Sequence, residues 1–139
     1  PSRQSYETAL SYVQQAWNEL KKQLDSPMYS IYFDTFAHEV MDLSACTEGL
    51  PKYRRYLTAA FAAAVRRSVA DGMKLTKQQV KALEITLEQL HQDEPSVEIL
   101  DECIDALTRA GLDPILSLGK RTEAFLASIE ADEEEGRIF

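Results

Sequence analysis

The chain has 139 residues, of which 45% are apolar and 27% charged, enough for one domain to bury its own core and too apolar for an extended disordered chain. Its net charge of −8 is polarised: residues 1–77 hold 10 basic and 8 acidic side chains, residues 78–139 hold 5 and 15. That balance argues against general nucleic-acid affinity, which needs a basic face, and suits the acidic half to a basic partner or to head-to-tail self-association.

Apolar residues recur at helical spacing along almost the whole chain. The first predicted helix runs from about Ser5 to Leu24, with Tyr6, Leu10, Val13, Trp17 and Leu20 on one stripe and Lys21 and Lys22 in the last turn, where cations suit the helix dipole. Asp25-Ser26-Pro27 stops it and opens the second helix, with Ser26 as cap and Pro27 at the first helical position. The second stripe is Met28, Ile31, Tyr32, Phe36, Val40 and Leu43, widened by Phe33, Ala37 and Met41. A stripe this broad predicts contact on more than one side.

The third helix spans about Pro51 to Ala70, with Tyr53, Tyr56, Leu57, Ala60, Phe61, Ala64, Val65 and Val69 on one face. Five alanines between positions 59 and 64 leave its middle thin, which lets neighbours approach closely and places it at the centre of the bundle. Asp71-Gly72 supplies the terminating turn. Thr76-Lys77-Gln78-Gln79 has the form of a capping box for a fourth helix with Val80, Leu83, Leu87 and Leu90 as its seam. Ser96 caps a fifth, carrying Ile99, Leu100, Cys103, Ile104 and Leu107 and closed by Gly111; Asp113-Pro114 opens a sixth, carrying Leu118, Phe125, Leu126 and Ile129. The expected fold is therefore all-α: a single-domain antiparallel bundle of five to six helices over residues 1–129. A flexible acidic tail follows over 130–139.

Four groups of residues bear on function. Asp34, His38 and Asp42 lie at i, i+4 and i+8 on the second helix, and Glu88 and His91 form a Glu-x-x-His step on the fourth. Carboxylates with imidazole suit a divalent cation such as zinc or iron. The Glu-x-x-His step is similar to that of ferritin-like di-iron bundles, where it occurs twice with two further inward glutamates; here it occurs once. The structural alternative is a solvated helix face with modest ion pairs. A second group, Lys52-Tyr53-Arg54-Arg55-Tyr56 with Arg66 and Arg67, sets Arg55 and Arg66 on one side, as a phosphate-facing row or as a positive edge pairing with the acidic half. Tyr29, Phe33 and Tyr53 are aromatics expected at the surface, where they suit contact with a partner. The tail ends in Ile138-Phe139 after four acidic residues. It is similar to the acidic tip of bacterial single-stranded-DNA-binding proteins, which also ends in Phe, though Arg137 departs from that pattern.

Cys46 and Cys103 form no CxxC, and the carboxylates around Cys103 suppress its thiolate, so both are expected as buried small hydrophobes rather than nucleophiles. No Gly-rich phosphate loop occurs, no apolar run approaches the roughly 20 residues of a membrane span, and no secretory segment opens the chain; a cytoplasmic location is the expectation. The leading functional reading is a non-enzymatic protein–protein interaction or regulatory module, self-associating through its helical surfaces, with no cofactor and no membrane partner. The alternatives are a metal-binding bundle using Asp34, His38, Asp42, Glu88 and His91, and nucleic-acid binding through Arg55 and Arg66.

Overall fold

The computed structural model describes residues 3–114, with side chains from residue 5, and this part of the chain is helical with no strand. Five helices follow in order: α1 (Arg3–Lys22), α2 (Tyr29–Ser44), α3 (Lys52–Ala70), α4 (Lys77–Leu90) and α5 (Val97–Arg109). The sixth expected helix beyond Pro114, and the 130–139 tail, lie outside the described residues.

Local chemistry sets most of the boundaries. Thr76 Oγ1 accepts from Gln79 N at 3.1 Å, and Gln79 Oε1 accepts from Thr76 N at 3.0 Å, completing the capping box of α4. Ser96 Oγ accepts from Ile99 N at 3.2 Å and caps α5. At the far end of α5, Gly111 takes φ +83° and Leu112 N donates back to Leu107 O at 2.9 Å, the left-handed closure that glycine allows without a Cβ penalty. The start of α2 differs from expectation. Ser26 Oγ accepts from Met28 N, two residues on, and Pro27 sits in a run of three-residue turns before the helix begins at Tyr29. Ser26 thus caps a local turn rather than the helix, a use its short hydroxyl serves equally well.

The packing is centred on α3. As a helix it packs against α2, α4 and α5, while α1 and α2 form the most extensive pair. Twelve of its residues are buried, including Ala60, Ala62, Ala63 and Ala64, whose small side chains admit neighbours on several sides. An aromatic cluster joins the first three helices. Phe36 lies 5.1 Å from Trp17, 6.1 Å from Phe33 and 6.2 Å from Phe61 between ring centroids, the last two edge-on, the arrangement the ring quadrupoles favour.

Three sequence expectations are corrected. Phe33, expected at the surface as a partner contact, is fully buried in this cluster, and Tyr53 is buried as well. Val69, expected on the packed face of α3, is exposed. On α2 the inward row is Phe33, Phe36, Val40 and Leu43, and Met28 and Ile31 face outward. The helix is apolar on so many sides that its periodicity allows more than one rotation; packing against both α1 and α3 selects the one that buries the two phenylalanines.

Candidate protein-interaction surface

With their inward rows fixed, α1 and α2 present a second face away from α3. On α1, Tyr12, Gln15, Ala16 and Glu19 share a side because they are spaced by three and four residues. On α2, Ile31, Tyr32, Thr35 and Glu39 do the same. These eight residues line a shallow groove of about 290 Å³ between the two helices. Tyr12 is 55% exposed and Ile31 57%, so each keeps an apolar side chain in water beside a groove that has room for more. Fully burying a side chain of this size gives about 1.5–3 kcal/mol, so covering the half left open at each is worth roughly 1 kcal/mol apiece. Leu24 and Met28, in the turn joining the two helices, are also exposed.

The groove has an acidic rim. Between Tyr29 and Ser44, α2 carries Asp34, Glu39 and Asp42 and no lysine or arginine. Glu39 is half-buried in the groove wall and makes no ion pair or hydrogen bond among the described residues. Glu19, on the opposite wall, meets Lys22 of its own helix at 3.4 Å, an exposed pair that exchanges readily with solvent or a new partner.

The residues expected to hold a metal are placed apart. Asp34, His38 and Asp42 lie on the exposed side of α2, where His38 Nε2 and Asp42 Oδ2 are 4.0 Å apart in a solvated pair. Glu88 and His91 lie on α4 and at its C-terminal cap, and His91 Nε2 is 2.9 Å from Gln14 Oε1 of α1. Among the described residues, no three of His, Cys, Asp and Glu come together as a ligand set. Partial burial pushes the His91 imidazole below its ordinary value; the Arg54 charge acts in the same sense and Glu7 opposes them. Tyr29 is half-buried, and its hydroxyl donates to the Met73 carbonyl, fastening the start of α2 to the α3–α4 loop. Arg55 is half-buried with its Nε out of contact with solvent, whereas Arg66 is exposed, so the two do not present a matched pair of guanidinium groups. Ile138 and Phe139 lie outside the described residues. Cys103 is buried as expected, and burial pushes its thiol up; Cys46, also expected to be buried, is only partly covered and donates to the Asp42 carbonyl.

One residue of structural weight stands inside the basic-aromatic run. Arg54 is 1% exposed, with its guanidinium carbon 4.9 Å from the centre of the Tyr6 ring and Nη2 donating to Leu90 O at 2.9 Å. Its backbone N–H donates to Glu94 Oε1 at 3.1 Å, so a carboxylate from the α4–α5 linker sits at the positive N-terminus of α3. Desolvation nonetheless pushes the Glu94 carboxyl up. Thr58 Oγ1 donates to Arg54 O and accepts from the Tyr6 hydroxyl at 2.8 Å. Arg54 therefore fastens α1, α3 and the end of α4 together. The signal available in sequence was position: Arg54 lies four residues before Thr58 and three before Leu57, on the side of α3 that the apolar row also occupies.

The groove had no comparable signal: Ile31 stands between Met28 and Tyr32 in the apolar run of α2 and reads as part of its inward stripe. Comparison of the chain with protein families, with curated proteins and with solved structures gives no match.

Proposed function

We propose that the protein is a non-enzymatic interaction module that docks another protein segment in the groove between α1 and α2. The observation that carries this reading is the pair Tyr12 and Ile31, each more than half exposed on opposite walls of the groove. An apolar groove with room for further side chains, flanked by polar groups, is the usual form of a docking site. The buried, hydrogen-bonded positions of Tyr6, Thr58 and Arg54 leave α1 firmly seated, so the groove is presented on fixed walls and little ordering is needed on binding.

The test is site-directed photo-crosslinking at Tyr12, with the exposed Glu98 of α5 as the control position. The reading expects discrete protein adducts from Tyr12 and not from Glu98, lost in the variant that also carries Ile31→Ser. Equal adducts from both positions, or adducts that survive Ile31→Ser in a folded protein, refute it.

A further inference from the structure

We infer that the occupant of the groove is a basic amphipathic helix, an inference that rests on the docking reading above. Three features select it. The first is charge. The walls contribute Glu39 and Glu19, the latter in an exposed pair with Lys22; the rest of α2 adds Asp34 and Asp42, and α2 has no lysine or arginine of its own. Glu39 is the sharpest of these: a half-buried carboxylate, without a counter-ion among the described residues, beside an apolar floor. A lysine or arginine flanking an apolar anchor completes that pairing, and exclusion of water strengthens it.

The second feature is shape. The lining on α2 runs from Ile31 to Glu39, eight residue steps or about 12 Å at 1.5 Å per step. That matches about two turns of a helix laid along the hairpin, with anchors at i, i+4 and i+7. The third is backbone chemistry. The described residues contain no strand, so an extended segment finds no sheet edge to pair with, whereas a helix satisfies its own backbone groups. A second copy placed symmetrically on this face sets one acidic rim against the other, a like-charge contact that electrostatic complementarity selects against.

The experiment titrates two synthetic helical peptides into the isotope-labelled full chain and follows backbone amide shifts. Both peptides carry one leucine stripe; lysines flank it in the first and glutamates in the second. The inference expects the lysine peptide to shift Tyr12, Ala16, Ile31, Thr35 and Glu39, and to bind at least about tenfold more tightly than the glutamate peptide. The preference shrinks as salt is raised and falls in Glu39→Lys, with Glu39→Gln intermediate. Equal binding of both peptides at these amides overturns the basic occupant and leaves the docking reading standing. Shifts at the same amides on concentrating the protein without peptide assign the groove to a second copy, which also overturns the inference and leaves docking intact. No response at these amides to either peptide overturns the inference, and the Tyr12 crosslinking result then decides the docking reading separately.

Discussion

Arg54→Ala and Arg54→Met are expected to behave differently, because the side chain contributes through its stem and through its charge in opposite directions. Truncation to alanine removes the Nη2 bond to Leu90 O, worth about 1.5–3 kcal/mol for a charged donor, and the contact with the Tyr6 ring, worth about 0.5–2 kcal/mol. It also removes a buried three-carbon stem, roughly 2 kcal/mol at about 0.8 kcal/mol per methylene. Against these losses stands the desolvation of the guanidinium. Nε and Nη1 are buried without a hydrogen-bond partner, and each unsatisfied donor costs about 1–3 kcal/mol. The balance puts Arg54→Ala at about 2 kcal/mol destabilising. Methionine restores most of the apolar volume and carries no donors to desolvate, so Arg54→Met is expected within about 1 kcal/mol of the parent, as found when buried charges are replaced by apolar groups of similar size. Urea denaturation followed by the fluorescence of Trp17, which is fully buried, reads both values. If Arg54→Met costs as much as Arg54→Ala, the guanidinium stabilises the fold despite its unpaired donors and the reasoning fails.

Other outcomes follow from the same contacts. Thr76→Ala removes one half of the α4 capping box and is expected to cost about 1 kcal/mol in the same denaturation assay, with Thr76→Ser close to neutral. Phe36→Ala opens a cavity between Trp17, Phe33 and Phe61 and is expected to cost about 3–5 kcal/mol, visible also as a changed near-ultraviolet signal from Trp17. The folded state lowers the His91 value below the ordinary 6.5, so the unfolded chain takes up that proton first as pH falls. Its contribution to stability is complete above about pH 6.5 and is lost as pH drops through the lower folded value. His91→Gln should flatten the stability profile in that window; an unchanged slope would show that the imidazole is not desolvated. Glu84, held down by its hydrogen bond from Lys21, adds a further loss of stability at more acid pH, which Glu84→Gln removes.

Much of the architecture follows from local chemistry that the sequence carries openly. The capping box at Thr76, the cap at Ser96 and the glycine closure at 111 act within a few residues, so their positions in the chain suffice to mark the ends of α4 and α5. The alanine-rich middle of α3 likewise announces a helix approached from several sides. Local rules do not reach the rotation of α2, whose apolar side chains nearly encircle it. There the fit of Phe36 against Trp17 and Phe61, with Phe33 buried beside it, turned Ile31 outward and so created the groove. Arg54 is a similar case: a cation beside two tyrosines reads as surface until Tyr6 and the Leu90 carbonyl arrive from helices about 48 and 36 residues away to receive it. Sequence by itself determined, to within a few residues, where the five described helices lie and which of them is central, because periodicity and capping depend on neighbours in the chain. Which faces stayed open was decided only in the tertiary structure, because burial is a property of what packs across the gap.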